Sequence, residues 1–567
     1  DIVITLDHAG LWTDTRYFIQ AVEQLQGTGV ELHKTRIPGE VRIPEWLAEV
    51  AFVDKRGPVI VALDGLSWNV SSVEMIKTAF KRAGRRHDES AELENGYKIV
   101  DMPDMLDQLW DDRPAVPVSP VITLGDDLTG ESRQSKIASI RRFLEEVDCD
   151  SILFTALDEI AWTLNVRGSD VEYNPVVISY LLVTNDDVCW FVKKPVVGKL
   201  DSETLSSFAE LEADGVMIRP YDDVELVFSG ADCTELRHLY VDPATLNWHL
   251  YKAMASSSVK VKAGVSPIPL RKAVKNEIEI SGMREAHLED GLAMEKFLFW
   301  LETEMASGAE IDEWDAAVKL DSLRAQIPGY RGNSFETISA YGPSAALPHY
   351  VTHEVGSRKL EPRGLYLCDS GGQYLFGTTD ITRTVPLGPC TDLEKEDYTL
   401  VLKGHIGLAT AMFPAGTSGS QIDYAARSPL WKFKRDFGHG TGHGVGFFLN
   451  VHEGPQEIRH NFNSQPLLPG MISSDEPGLY REGMHGIRHE NLLLCTDAGT
   501  NEFGSWRCFE NLTLCHIDTA PVITDLLTDE EMAWLNAYNA EVYATLAPHL
   551  PEDVAEWLKT KTLPISE

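Results

Sequence analysis

Residues 364–385 read GLYLCDSGGQYLFGTTDITRTV. Two apolar, strand-like runs are each broken by one aspartate: Asp369 ends the first and Asp380 lies on the second. The intervening SGGQ is expected to fold one run back on the other and bring two carboxylates together in a buried sheet. A lone aspartate at a strand end is most often a turn or cap residue. The pattern repeats further on, however. Residues 471–494, MISSDEPGLYREGMHGIRHENLLL, carry Glu476 and Glu490 on two more strand-like pieces with a glycine-containing loop between them. Between these two stretches lies GHGTGHGVG at 438–446, followed by His452 inside NVHEGP. Glycine weakens helices and strands alike, so four of them around His439 and His443 call for an explanation other than packing.

Four carboxylates in apolar strands, left without counter-charge, would protonate or push the sheet apart. Two divalent cations would neutralise them, with one imidazole filling a further position. An all-oxygen set with a single nitrogen is a hard donor set, which favours manganese or a similar ion over a thiolate-loving one. Two such ions about 3.5–4 Å apart can hold a bridging hydroxide and polarise a carbonyl, which is a hydrolase's task. Competing signatures are missing from the sequence: no HExxH, no GxxxxGK[ST] and no GxSxG.

Composition sets the outer bounds. The 567 residues imply about three or four domains. An apolar content of 43% and a charged content of 24% place the chain among soluble globular proteins. Fifty basic against 87 acidic residues give a formal charge of −37, which repels nucleic acid and anionic membranes, so neither is expected as a partner. The longest mainly apolar run, VVISYLLV at 176–183, is far below the ~20 residues that span a bilayer. The chain starts DIVITLDHAG, without methionine or a signal-like segment, and reads as the interior of a longer polypeptide. Its eight cysteines (149, 189, 233, 368, 390, 495, 508, 515) show no CxxC spacing, which suits a reducing, cytoplasmic compartment.

Residues 1–117 alternate short apolar runs (DIVITL, VIVALDG) with helical stretches such as TRYFIQAVEQL, an α/β texture. The proline-rich DDRPAVPVSPVITLG marks a boundary, after which 118–270 restart the pattern: a helix at about 133–147, strand SILFTAL, helix DEIAWTLNV, then strands VVISYLLV and DVCWFVK. From 271 long amphipathic helices take over. Leu288, Leu292, Phe299 and Trp300 recur at helical spacing and are expected in the core. Asp312 is a predicted N-cap, helices are expected at about 393–412 and 418–430, and Thr528 with Glu531 forms a capping box that opens a tail helix in 521–567.

Taken together, DSGGQYLFGTTDITRT, HGTGHGVGFFLNVHEGP and DEPGLYREGMHGIRHEN resemble the dinuclear pita-bread metallopeptidases. More particularly, they resemble the long, three-domain, cytosolic form of aminopeptidase P, the Xaa-Pro aminopeptidase. LWTDTRYF, LDEIAWTLNVRGSDVEYNP, KAVKNEIEISGMREAH and LTDEEMAWLN extend the likeness nearly end to end. The implied fold is mixed α/β and α+β: two related N-terminal α/β domains (1–117 and 118–270), a creatinase/aminopeptidase-like pita-bread catalytic domain (271–520) and a helical C-terminal extension (521–567). The implied metal ligands are Asp369, Asp380, His443, Glu476 and Glu490, with Asp380 and Glu490 bridging two divalent ions, Mn2+ first and Zn2+ or Co2+ as alternatives. Asp369 completes one ion, and His443 with Glu476 completes the other.

The resemblance further implies that Glu476 accepts the proton of the attacking water, and that His349, His439 and His452 bind the proline side of the peptide and serve the tetrahedral intermediate. Arg488 is expected to hold a carboxylate around the ions. The glycines would let the backbone approach the metals and adopt φ values that other residues resist. His405, His516 and His549 are expected to be structural or solvated. Departures from the family pattern are Phe376 where an acid is common, His489 where an apolar residue is common, and Thr15 where glycine is frequent. His489 should face away from Glu490 on an alternating strand. The implied substrates are peptides with proline at the second position. A homodimer through the C-terminal domain is expected, from family precedent and the aromatic tail helix. Two other functions fit parts of the pattern: a prolidase that cuts Xaa-Pro dipeptides, and a catalytically inactive pita-bread binding protein. The two N-terminal domains weigh against the first, and the full ligand set against the second.

Overall fold

A computed structural model describes residues 1–35, 37, 39–51, 57–93, 95–103, 106–107, 109–193, 201–228 and 236–566. The chain forms two compact units. One comprises residues 1–126, 131–171 and 176–268, and the other 127–130, 172–175 and 269–567. Seven described cysteines are free, and Cys233 lies outside the described residues. No helix among the described residues is long and apolar enough to cross a membrane.

The first unit is α/β throughout, as its alternating texture predicts. Strands Ile2–Ile4, Ala9–Thr13 and Glu31–Lys34 make one small sheet, and Val59–Leu63, Gly96–Asp101 and Arg86–His87 make another. A six-stranded mixed sheet then runs, edge to edge, through Val216–Pro220, Val188–Val192, Ser179–Thr184, Ser151–Phe154, His238–Val241 and Lys260–Ala263. The predicted helix near 133–147 spans Arg133–Glu146, where the Ser132 side chain accepts from the Ser135 amide.

Local capping chemistry sets the helices of the second unit. Asn276 accepts from the amides of Ile278 and Glu279 while Glu279 reaches back to the Asn276 amide, opening the helix Glu277–Ser307. Gly308, at φ 78°, closes it. Asp312 and Thr528 cap Glu313–Arg324 and Asp529–Leu546 as predicted. The two inserted helices span Asp392–Ala409 and Gly419–Trp431. On the long helix Leu292 is buried, and Leu288 and Trp300 are half-buried against the core. The deepest side chains are Met283, Met294 and Phe297. Asp290 and Glu295 are buried as well, so more than one stripe of this helix faces protein.

The strands that carry the polar residues form two sheets and a hairpin of the second unit. Leu365–Ser370 lies between Ile338–Tyr341 and Ile381–Pro386. A six-stranded sheet runs Phe413–Pro414, Gly504–Asn511, Asn491–Asn501, Ile472–Asp475, Gly442–Gly444 and Glu453–Ile458. A hairpin pairs Gly478–Arg481 with His485–Arg488. The predicted turn at SGGQ is corrected: residues Gly372–Tyr374 are a strand, paired with Gly377–Thr378. The reason is packing. Gln373 donates to the Leu449 carbonyl at 2.7 Å and the Tyr374 hydroxyl to Asp290 at 2.6 Å, so these side chains are committed inward and the reversal falls at Leu375 and Phe376.

Candidate metal centre

Antiparallel pairing places Asp369 opposite Thr382, and Asp380 directly precedes that second strand. Glu476 and Glu490 flank the hairpin 478–488, in which Gly478 pairs with Arg488. His443 sits mid-strand in Gly442–Gly444. One ligating atom each from Asp380, His443 and Glu490 lie within 4.8 Å of one another. His443 Nε2 is 3.5 Å from Asp380 Oδ2 and 3.3 Å from Glu476 Oε1. Arg488 is ion-paired with Asp369 Oδ2, while Asp369 Oδ1 is buried without a hydrogen-bond partner.

The remaining predicted residues surround this cluster. His439 Nδ1 lies 4.0 Å from Glu476 Oε2, and its Nε2 is 2.8 Å from the Tyr480 hydroxyl. The rings of His443 and His452 are 4.3 Å apart, and His452 is exposed. His349, half-buried, is close enough for its charge to oppose protonation of His439.

The electrostatics are those of a site that favours positive charge. Burial, with Asp369 adding like charge, pushes Asp380 up to about 6. Burial pushes Glu476 up to about 7, opposed by His443 and reinforced by Asp380. Glu490 is driven well above the carboxylate range by burial and by Asp380 and Glu476. His443 resists the opposite effect of burial through Asp380 and Glu476 and rises to about 9. His439, desolvated and facing Arg488, falls to about 3 and is neutral at physiological pH. A surplus of desolvated oxygens, one imidazole and an orphaned Asp369 oxygen fit divalent cations.

Strand Gly442–Gly444 approaches its neighbour so closely that a Cβ on Gly442 would stand 1.9 Å from the Ser474 carbonyl oxygen. None of Gly440, Gly442, Gly444 and Gly446 has a left-handed φ. The expectation of unusual φ values is therefore corrected: Gly442, Gly444 and Gly446 supply steric room, since a Cβ on each would stand within 2.7 Å of a neighbouring atom. His489 faces Tyr398 edge-on at 4.5 Å, and burial holds its pKa well below the ordinary value, so it adds no charge beside Glu490. Phe376 stacks on Tyr374 at the hairpin turn. His405 contacts Asp475 and His516 contacts Glu295, both buried, and His549 is exposed.

Three contributors escaped the sequence reading. The Tyr480 hydroxyl joins His439 to Arg488. Thr382 donates to Glu490 Oε2 at 2.7 Å and accepts from Arg488 at 3.1 Å. Ser474 donates to Glu476 Oε1 at 3.1 Å and accepts from the His443 amide at 3.0 Å. Period-two alternation was the available signal: each lies two or four positions from a ligand candidate on the same strand path.

Residues 281–497 match the model of metallopeptidase family M24, 112–279 that of the creatinase/prolidase N-terminal domain, and 505–565 the C-terminal region of peptidase M24. The chain belongs to metallopeptidase family M24. Among its relatives, Arabidopsis thaliana aminopeptidase P1 is 37% identical, over 100% of this chain and 91% of that one. The Tuber melanosporum protein named "Probable Xaa-Pro aminopeptidase P" is 36% identical over 99% and 91%. The crystal structure of Caenorhabditis elegans X-prolyl aminopeptidase, described as a cytosolic enzyme with a di-nuclear active site, superposes with TM-score 0.89 at 37% identity, covering 100% of this chain and 90% of that one. A Bacillus anthracis Xaa-Pro dipeptidase shares the fold at TM-score 0.53 and 24% identity, over 68% of this chain and 99% of that one.

Proposed function

We propose that this chain is a metal-dependent aminopeptidase that hydrolyses the bond between an N-terminal residue and a proline in second position. The observation that carries this reading is the convergence of Asp380, His443 and Glu490 within 4.8 Å. It occurs in a chain 36–38% identical, over its whole length, to proteins bearing aminopeptidase P names.

Asp369, Asp380, His443, Glu476 and Glu490 would hold two divalent ions. Bound there, the ions would supply Lewis acidity toward the scissile carbonyl and lower the pKa of water toward neutrality. Glu476, half-exposed to the site and carrying a raised pKa, is suited to accept a water proton. His439, neutral, donates from Nδ1 to the Gly440 carbonyl at 2.7 Å and accepts at Nε2 from the Tyr480 hydroxyl, so it is suited to position Tyr480 beside the substrate, and His349 and His452 to hold the proline side of the peptide. Arg488 fixes Asp369 and, through Thr382, Glu490.

The hard donor set supports manganese as the metal. The description of the nematode enzyme as cytosolic supports a cytosolic location. The domain limits we adopt are 117/118, 270/271 and 520/521. A homodimer through the C-terminal domain is also proposed. Its support moves away from the tail helix, because the Tyr538 hydroxyl bonds inside its own unit and Trp534 stacks on Tyr538. Light scattering is expected to give twice the mass of one chain, and a monomer would remove the dimer.

Purified protein with Mn2+ is expected to release Xaa from Xaa-Pro-Yaa, to cleave Xaa-Pro dipeptides poorly, and to stop in excess chelator. Preference for the dipeptide would make it a prolidase, and no release with the ions bound would leave a binding protein.

A further inference from the structure

The first unit contains a second gathering of ligand-type side chains. In the sheet Ile2–Ile4, Ala9–Thr13, Glu31–Lys34, the second and third strands run parallel with Gly10 opposite Glu31 and Trp12 opposite His33. Strand alternation then puts His8, Gly10 and Trp12 on the same face as Glu31 and His33. One ligating atom each from His8, Glu31 and His33 lie within 4.8 Å of one another. We infer that these three residues form a divalent-cation site of the zinc type, unrelated to the ligands in the second unit.

Four observations point to a ligand and away from mere aromatic packing. First, the Nε2 atoms of His8 and His33 are both buried and lack a hydrogen-bond partner, and His33 is only 8% exposed. Buried imidazole nitrogens are normally satisfied, and two orphans on one small face are unusual. Second, Gly10 lies directly under them. A Cβ there would stand 2.7 Å from His8 Nε2 and 2.9 Å from His33 Cδ2, so both rings rest over a bare backbone.

Third, the rings are held in place. Trp12 stacks on His33 at 3.9 Å with a 4° interplanar angle, and Trp46 lies 4.8 Å from His8. Fourth, the Glu40 carboxylate lies on the Nδ1 side of His33, with Oε2 3.9 Å from Nδ1, which leaves Nε2 for the ion. Two nitrogens and one oxygen suit zinc, with a fourth position left to solvent. Tetrahedral zinc holds its ligand atoms about 3.3 Å apart. Glu31, whose side chain is 64% exposed, is the ligand able to move toward the two Nε2 atoms. A bound ion would tie the edge strand Glu31–Lys34 to the residues that lead into Ala9–Thr13.

The test is a count of Zn2+ equivalents on the full chain by competition with a chromogenic chelator, comparing wild type with Glu31→Gln and His8→Gln. The expected result is one equivalent fewer, or at least tenfold weaker binding of one equivalent, in each variant. This difference does not depend on how many ions the other unit holds, so it stands or falls separately from the proposed activity. Co2+ quenching of indole fluorescence from Trp12 and Trp46 provides a second readout, and the step assigned to this site should vanish in both variants. Glu31→Gln changes an exposed side chain, so an unchanged unfolding midpoint in chelator confirms that a lost equivalent is a lost ligand. Equal zinc counts and equal affinities in wild type and variants would overturn the site. So would quenching identical in all three.

Discussion

Asp290 and Asp380 are both buried acids of the C-terminal unit, and they end on opposite sides of the ordinary carboxylate pKa. Burial pushes both upward. At Asp290 it is outweighed by Arg324, which meets both oxygens at 2.8 and 3.0 Å, and by the Tyr374 hydroxyl, so the group is held below its usual value. At Asp380 the neighbours include further carboxylates, burial prevails, and the group rises to about 6. Asp397 repeats the first pattern with His485, Arg481 and Arg435, and Glu453 is paired with Lys272 and Lys275. The fold therefore supplies fixed cations to Asp290, Asp397 and Glu453, whereas Asp380, Glu476 and Glu490 have no direct ion pair with Arg or Lys among the described residues. A desolvated acid left without a built-in partner marks where an exchangeable cation belongs.

The largest expected effect comes from removing one member of the uncompensated set. Asp380→Asn should lower kcat/KM on Xaa-Pro-Yaa on the order of 10⁴-fold, about 5.5 kcal/mol of transition-state stabilisation. Steady-state kinetics with saturating Mn2+ would measure this, and a loss below tenfold would show that the cluster is not the metal centre.

Asp290→Asn addresses the other half of the comparison. It leaves Arg324 buried beside a neutral amide and should destabilise the unit by about 3–5 kcal/mol, as breaking a buried ion pair does. Asp380→Asn, assayed in excess chelator, should be neutral or stabilising, since it removes a desolvated charge. Denaturant midpoints would read both changes. If the two variants shifted in the same direction by similar amounts, the distinction between compensated and uncompensated acids would fail.

Next in size is a pH effect. Asp380 in the fold still holds its proton where the unfolded chain has lost it. Its contribution to metal-free stability is therefore complete below the unfolded pKa near 4 and is lost as pH rises through about 6. Other groups titrate in the same window, so the informative quantity is wild type minus Asp380→Asn. In chelator that difference should fall by about 2–3 kcal/mol from pH 4 to 7. With Mn2+ present it should rise over the same range, because the ions compete with protons for the same oxygens.

The sequence reading succeeded where chemistry is local and failed where it depends on distant pairing. Capping at Asp312 and Thr528 involves residues three apart, so it could be read directly. The carboxylates stood out because acids in apolar strands are costly whatever their partners. The SGGQ segment looked like a turn because its composition favours one, but the demands that Asp290 and Leu449 make on Tyr374 and Gln373 are invisible locally. Tyr480 and Thr382 could have been found by counting alternate positions from Glu476 and Asp380. His8 and His33 could not, since a parallel pairing across an intervening helix brings them together.

Arg488 gives the smallest and most discriminating case, because its guanidinium is a fixed cation that reaches the cluster through Asp369. Its guanidinium divides among Asp369 Oδ2, Thr382 Oγ1 at 3.1 Å and the Tyr480 hydroxyl at 2.6 Å. It therefore reaches Asp369 directly, Glu490 through Thr382 and His439 through Tyr480, while leaving Asp369 Oδ1 unpartnered. Lysine would keep the charge but not the planar fork, and could serve one or two of these three contacts. Arg488→Lys should therefore lower kcat about tenfold, roughly 1.4 kcal/mol, at unchanged metal content, as loss of an orienting contact around a metal site does. If metal content fell instead and excess Mn2+ restored kcat, the role of Arg488 would be to hold the ions' ligands in place. If kcat stayed low with the ions bound, its role would be to align His439 and Tyr480 with the substrate.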